Sequence, residues 1–277
     1  GEYATSLRMS EVGYQSYHQE ALNIKYNSLN SFIESLKKGV FEEYKVFKDL
    51  GLYDDCNERQ QISSGILQIE NELYDSIRPK RKGASEKRPI ELLSSEGIEY
   101  VEVRGIDLSP NTLTGISKSE MRLLDVFLMH CLIKESELMS QAEYDEMNKN
   151  YVTAIHSGSD LDQKLSFNGL ELSIRDKISN ISDELLMIAK ELNSVDPEFE
   201  KSVSDCLNME NKSRQLLNNI LGSDNSFTEN ILQESIDKMN SLKGAKLKNE
   251  TILENERFNS VELHKEIEAK KGVELNK

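Results

Sequence analysis

Cysteine, histidine and long apolar runs are scarce in this chain, and each scarcity closes off a class of chemistry. The three cysteines, Cys56, Cys131 and Cys206, are odd in number, far apart and without a CxxC pair, which fits free thiols in a reducing cytoplasm and not a disulfide framework. The four histidines, His18, His130, His156 and His264, never stand three or four positions apart, the spacing that puts two ligands on one helical face. A histidine-built zinc site is therefore not expected within the chain, and any metal must be held mainly by carboxylates. The longest apolar stretches, such as Leu185 to Ala189, fall far short of the ~20 residues a bilayer crossing needs, and no basic-then-apolar leader opens the chain. The expectation is a soluble, cytoplasmic protein with no membrane partner. Neither a GxSxG elbow nor a GxxxxGK[ST] phosphate loop is present, so the common serine-hydrolase and P-loop readings have no support.

The 277 residues leave room for one large domain or two small ones. Apolar residues make up 37% and charged residues 30%, a modest core for the length that points to long polar helices. Lys and Arg number 34 against 49 Asp and Glu, for a net charge of −15. A chain this acidic is repelled by a phosphate backbone unless its cations are gathered in one place, so no nucleic-acid partner is expected.

The character of the chain changes near residue 117. Leu29, Phe32, Ile33, Leu36 and Val40 recur at intervals of three and four and predict an amphipathic helix from Asn27 to Val40, continuing as far as Phe47 until Gly51 breaks it. Gln61 to Tyr74 reads at period two, with Leu67, Ile69 and Leu73 on one side and Gln68, Glu70, Glu72 and Tyr74 on the other, and predicts a strand with an acidic face. Arg78 to Arg88 reads as a basic loop with Pro79, Gly83 and six Lys or Arg against one acid, before a second strand, Ile98 to Ile106. In that strand Ile98, Tyr100, Glu102 and Arg104 share a face. From Ser117 the pattern is helical. It begins with the capping box Ser117-Lys-Ser-Glu120 and a stripe of Leu124, Phe127, Leu128, Cys131 and Leu132. Helices follow over Leu170 to Leu192 and, after the Gly222-Ser-Asp-Asn turn, over Phe227 to Leu242, while Glu262 to Lys277 reads as a solvated, frayed end.

Several residues are candidates for chemistry, each with a plainer alternative. Glu70, Glu72 and Glu102 supply the oxygens that Mg²⁺ takes, or are the solvent-facing positions of an antiparallel sheet. Arg78, Lys80, Arg81 and Lys82 concentrate positive charge as a polyphosphate requires, or form a solvated turn. Arg104 suits a carboxylate or phosphoryl group, or a cross-strand salt bridge. Tyr14 and Tyr74 line a pocket or close a core, and Arg8 is an anion ligand or a surface residue. His130 and Cys131 read as structural, beside and within the apolar stripe of their helix.

Together these signals spell something more specific. Tyr3-Ala-Thr-Ser-Leu-Arg-Met-Ser-Glu-Val-Gly-Tyr14, Leu67-Gln-Ile-Glu-Asn-Glu-Leu-Tyr74, Ile77-Arg-Pro-Lys-Arg81 and Gly97-Ile-Glu-Tyr-Val-Glu-Val-Arg104, with Asp107 and Pro110, resemble bacterial glutamate–cysteine ligase of the proteobacterial class, also called γ-glutamylcysteine synthetase. The resemblance is specific from Tyr3 to Ile116 and diffuse thereafter. It implies an α+β fold, in which residues 1–116 form part of a glutamine-synthetase-like curved antiparallel sheet and residues 117–277 a mostly helical region packed on it. It also implies that the chain is a carboxy-terminal portion whose missing amino-terminal half is a required partner, so that turnover by the fragment alone is not expected.

The implied activity is ATP-dependent joining of the L-glutamate γ-carboxylate to the amine of L-cysteine, the first step of glutathione biosynthesis, with ATP and Mg²⁺ as cofactors. On this resemblance Glu102 is a magnesium ligand and Arg104 lies at the phosphoryl and substrate site. Arg8, with Tyr14 and Tyr74, holds L-cysteine, and Arg8 joins Arg104 as a catalytic candidate. Glu70 and Glu72 are further metal candidates, and Gln68, Arg78 and Lys80 lie near the nucleotide. The stretch Asp107-Leu-Ser-Pro-Asn111 departs from the family's usual Asp-Ile-Asn-Pro-Phe by losing the amide and the aromatic. The alternatives are a non-catalytic helical interaction module and a nucleotide-binding half-site.

Overall fold

The structure is a computed structural model that describes residues 3–83, 87–109, 112–208, 227–243 and 248–269. It divides into two units, Gly1–Arg214 and Gln215–Lys277.

The first unit runs through a 3-10 turn (Tyr17–Leu22), α1 (Leu29–Phe41), α2 (Lys45–Leu50), a second 3-10 turn (Glu70–Glu72), β1 (Ile77–Lys80), α3 (Pro89–Glu96) and β2 (Tyr100–Val103). It continues with α4 (Lys118–Ile133), α5 (Gln141–Ser157), β3 (Lys164–Phe167), β4 (Leu170–Ser173), α6 (Ile174–Leu192) and α7 (Phe199–Leu207). The second unit holds α8 (Phe227–Leu242) and α9 (Glu250–Ala269). The class is α+β, and among the described residues the sheets are two antiparallel pairs, β1 with β2 and β3 with β4.

Helix α1 starts behind Ser28, whose hydroxyl accepts from the Ser31 amide at 3.1 Å, and buries Phe32, Ile33, Leu36 and Val40. It does not continue to Phe47: Glu42 turns extended at its end, and α2 is a separate short helix closed by Gly51 at φ 80°. The α1 stripe meets Ile24, Leu67, Leu73, Ile90 and Leu93 in the first core.

The strand expected over Gln61 to Tyr74 does not form. Leu67 and Leu73 are buried, but Ile69 is 41% exposed and Glu70 only 7%. The segment docks by its backbone on the end of α1, where the Leu67 amide donates to the Gly39 carbonyl at 2.8 Å. It then folds on itself, the Gln68 amide donating to Glu72 Oε2 at 2.7 Å. Side chains meet the backbone's hydrogen-bonding needs that a sheet neighbour would otherwise meet.

The second strand forms within its expected span, and its partner is Ile77–Lys80, read as the beginning of a basic loop. The register sets Arg78 opposite Glu102 and Lys80 opposite Tyr100. Pro79, which cannot donate, is tolerated because β1 is paired on one side.

Helices α4, α6 and α7 share a second core of Val126, Leu185, Ala189 and Val203. The Ser117–Glu120 capping box forms as read, with the Ser117 amide donating to Glu120 Oε2 at 2.6 Å. The buried face of α4, however, is that of Val126 and His130, while Phe127 and Leu132 are 42% and 78% exposed and Cys131 is exposed rather than packed in a core. Both sides of α4 are apolar, so periodicity does not choose between them. Polar partners do: Arg122 binds Asp196 at 2.6 Å and His130 binds Glu184 at 2.6 Å, both along the Val126 side.

Residues Leu170–Ser173, expected as the start of a helix, are β4, joined to β3 by Asn168 and Gly169 at φ 53° and 76°. Helix α6 begins after Ser173, whose hydroxyl accepts from the Asp176 amide at 3.0 Å. Helix α8 has the expected bounds, whereas the Gly222–Asn225 turn lies outside the described residues. Of the expected frayed end, residues up to Ala269 are helical and exposed, and residues 270–277 lie outside the described residues. No helix among the described residues is long and apolar enough to cross a membrane.

Candidate functional site

The residues from Thr5 to Tyr14 form a turn held from two directions. The Thr5 amide donates to the Ile155 carbonyl of α5 at 2.9 Å. The Leu7 and Arg8 amides donate to Asp107 Oδ2 at 2.8 and 3.0 Å, and the Ser6 hydroxyl donates to Asp107 Oδ1. Gly13 closes the turn so tightly that a Cβ there would collide with the Leu7 and Arg8 carbonyls.

This turn brings Arg8 and Tyr14 to the end of β2. The Arg8 guanidinium carbon lies 4.9 Å from the centre of the Tyr14 ring, that of Arg104 lies 5.2 Å from it, and Arg104 Nη1 donates to the Tyr14 hydroxyl. Arg8 Nε donates to the Arg104 carbonyl at 2.6 Å. Tyr74 completes the cluster, its ring centre 4.3 Å from that of Tyr14 at a tilt of 59°. Gln19 holds Tyr74 in place, accepting from the Tyr74 amide and donating to the Glu72 carbonyl, both at 2.8 Å.

Next to it, one carboxylate is shared among cations. Glu102 Oε2 lies 2.9 Å from Arg78 Nη2, 3.2 Å from Arg104 Nε and 4.0 Å from Lys80 Nζ. Arg78 is buried, spends Nη1 on the Asn71 and Leu73 carbonyls at 3.0 Å each, and leaves its Nε without a partner. Lys80 reaches the Asn71 side chain at 3.2 Å. Three cations around one carboxylate leave positive charge over, which suits an incoming anion.

The remaining expected site residues are engaged elsewhere. Glu70 pairs with Arg88 at 3.0 Å, and Glu72 accepts from the Gln68 amide. The Gln68 side chain is taken up by the Ile62 and Ser63 amides, at 2.7 and 3.0 Å, and by the Ser63 carbonyl at 2.9 Å. Glu70 and Glu72 therefore do not share a strand face. No group of three His, Cys, Asp or Glu able to hold a metal occurs among the described residues. With one oxygen of Glu102 already committed to arginines, the described residues do not by themselves fit a magnesium ion.

A cleft of about 1370 Å³ opens beside the cluster, with Tyr14, Gln19, Tyr74 and Asp75 on one side and Tyr144 and Tyr151 of α5 on the other. The Tyr26 hydroxyl donates to Asp75 Oδ2 at 2.6 Å. Burial, and then the Asp75 charge, push the Tyr26 and Tyr151 phenols above their ordinary value, so both stay protonated and able to donate. Sequence reasoning missed Gln19, Tyr26, Asp75 and Tyr151. None carries a local signal, whereas Asp107 stands inside a motif block.

The fold and the site define an α+β protein with a tyrosine-lined cleft, whose Tyr14 ring carries the guanidinium groups of Arg8 and Arg104. Residues 1–154 match the protein-family model described as glutamate–cysteine ligase, and the chain belongs to that family of enzymes, the one its motif blocks resemble. It is 38% identical over 188 residues to glutamate–cysteine ligase of Pseudomonas savastanoi pv. phaseolicola, covering 68% of this chain and 35% of the relative. Over 156 residues it is 44% identical to the enzyme of Pseudomonas putida strain W619, covering 56% and 30%. The chain thus spans about a third of the length of the curated relatives it matches. It superposes on the crystal structure of glutamate–cysteine ligase from Francisella tularensis in complex with AMP with a TM-score of 0.83 and 29% identity, over 99% of this chain and 56% of that one. A bifunctional glutathione synthetase from Pasteurella multocida shares the fold, with a TM-score of 0.56 at 19% identity over 86% and 27% of the two chains.

Proposed function

We propose that this chain supplies part of the site of an ATP-dependent ligase joining the γ-carboxylate of L-glutamate to the amine of L-cysteine. The observation that carries the reading is the convergence of Arg8, Tyr14, Tyr74 and Arg104 beside the Glu102, Arg78 and Lys80 cluster. A free carboxylate does not acylate an amine in water. The γ-phosphoryl group of ATP is transferred to a carboxylate oxygen, the amine attacks the carbonyl carbon of the acyl phosphate, and phosphate leaves as the nitrogen loses its proton.

Arg104, with its planar fork, is placed to steady charge on the phosphoryl group, and Arg78 and Lys80 hold positive potential behind it. Tyr14 and Tyr74 receive L-cysteine at the cleft, and Arg8, which lies beside Tyr14 and among the described residues has no ion pair, is available to its carboxylate. That the Francisella relative was solved in complex with AMP supports a nucleotide as one ligand of the enzyme. Of the three carboxylates proposed for magnesium, Glu102 sits at the centre of the cationic cluster, and all three would first have to give up bonds they already make. Because so few ligands gather here, turnover is the property of the whole enzyme, and this chain alone binds without turning over.

The test is γ-glutamylcysteine formation by an enzyme containing this chain. Arg104→Lys should lower both kcat and kcat/KM, and magnesium should not restore them. Glu102→Gln should collapse turnover. Near-normal rates in both variants would make this pair a structural ion pair and end the reading.

A further inference from the structure

We propose that Asp107 is a positioning residue that sets Arg8 over the Tyr14 ring at the edge of the cleft and thereby the affinity of the site for the carboxylate of its amino-acid substrate, an inference that rests on Arg8 being a substrate ligand. Arg8 lies on a turn outside any helix or strand and is exposed. A free arginine there would hold ~2 kcal/mol of rotamer entropy, lost each time it gripped a ligand. Three donors from consecutive residues instead converge on Asp107, the Ser6 hydroxyl on Oδ1 and the Leu7 and Arg8 amides on Oδ2 at 2.8 and 3.0 Å. Hydrogen bonds to an ionised acceptor are the stronger kind, and amides converging on one carboxylate fix the backbone from which the arginine projects. The Met9 amide extends the hold by donating to the Ser6 hydroxyl at 3.0 Å.

The same short segment grips the other end of Arg8, since its Nε donates to the carbonyl of Arg104 at 2.6 Å. Asp107 spends its charge on two backbone amides and a hydroxyl and, among the described residues, forms no ion pair with the Arg8 guanidinium. Arg8 is fixed without being neutralised. An aspartate that paired with the guanidinium would compete with the ligand, whereas one that binds the turn leaves the outer edge of the fork to an incoming carboxylate.

The experiment uses the full chain, with L-cysteine as probe in calorimetry and the Arg8 Nε–H signal in nitrogen-15 spectra as a ligand-free report. Asp107→Ala should weaken L-cysteine binding by about tenfold or more, Asp107→Asn should fall between it and the parent, and AMP binding should not change. The Arg8 Nε–H signal, protected from exchange in the parent, should move to the solvent-averaged position in Asp107→Ala. If Asp107→Ala does not fold, Asp107→Asn carries both measurements. A lowered melting temperature with L-cysteine affinity and the Arg8 signal intact would make Asp107 a loop fastener and overturn the proposal. Failure of the parent to bind L-cysteine would instead remove the substrate role of Arg8, and the proposal with it, while the Nε–H signal would still show whether Asp107 places the side chain.

Discussion

Arg78 and Glu102 face each other across the β1–β2 register, and Nη2 of the first lies 2.9 Å from Oε2 of the second although Arg78 is only 4% exposed. Arg78 also satisfies two carbonyls of the turn that carries Tyr74. Arg78→Met keeps much of the packing volume but strands those acceptors and one partner of Glu102, at a cost of about 3 kcal/mol once the partial exposure of Glu102 is discounted. Urea unfolding followed by circular dichroism checks it. A change within experimental error would mean that the turn carries its own carbonyls.

Gly13 offers a purely steric test of the cluster. Gly13→Ala drives a methyl group into the Leu7 and Arg8 carbonyls, so the turn must open. The expected result is loss of L-cysteine binding with a stability cost of about 1–3 kcal/mol. Calorimetry and thermal melting separate the two, and full retention of binding would show that the turn does not position Arg8 and Tyr14.

What could be read from residue order alone divides along physical lines. Helices α1 and α8 and the Ser117–Glu120 cap were legible because period and capping are local properties. The Leu67 to Leu73 alternation was not decisive, since a strand and a loop folded on itself share it, and the contact that decides, the Leu67 amide on the Gly39 carbonyl, is distant in sequence. The face of α4 was unreadable for the same reason, being settled by Asp196 and Glu184 from elsewhere. The β3–β4 hairpin did have a local signal, Asn168-Gly169 between alternating residues, which outweighs the helical stripe that begins after it. Arg8, Tyr14, Tyr74, Glu102 and Arg104 stood in motif blocks, whereas Gln19 and Asp75 acquire their places only through packing.

That hairpin depends on left-handed backbone at Gly169, where a Cβ would meet nothing within 4 Å. Gly169→Ala therefore carries conformational strain alone, about 1 kcal/mol, and Gly169→Asn should carry less. Glu146 grips the same turn through the Asn168 and Gly169 amides at 2.7 and 3.1 Å. Thermal melts of the two variants, ranked as stated, check the turn type, and equal stability of all three chains would refute it.

Acid should loosen the α4, α6 and α7 bundle. Hydrogen bonds from Lys134, then His130, hold Glu184 below its ordinary 4.5, and a bond from Arg122 leads those holding Asp196 below its ordinary 3.8. With the folded value below the unfolded one, the unfolded chain takes up the proton first. The stabilisation is complete above the unfolded values and drains as pH falls through the folded ones. Urea midpoints measured from about pH 7 down to about pH 3 should hold and then fall below about pH 4.5. A Glu184→Gln, Asp196→Asn double variant should show a shallower fall, and an identical fall would place the titration elsewhere.

The bond from Ser6 to Asp107 joins positions 101 apart, and that from Arg104 to Tyr14 joins positions 90 apart. Closing loops of that length costs entropy that nearer contacts must first offset, so high-separation pairings form late. The cores around α1 and α4 draw on shorter separations and can assemble before these closures. A molecule stalled just short of completion then has its helical content and most of its buried apolar surface, yet no seat for Arg8 against Tyr14. Refolding followed by ellipticity will run ahead of refolding followed by ligand capture, and the interval between them times the last closure of the chain.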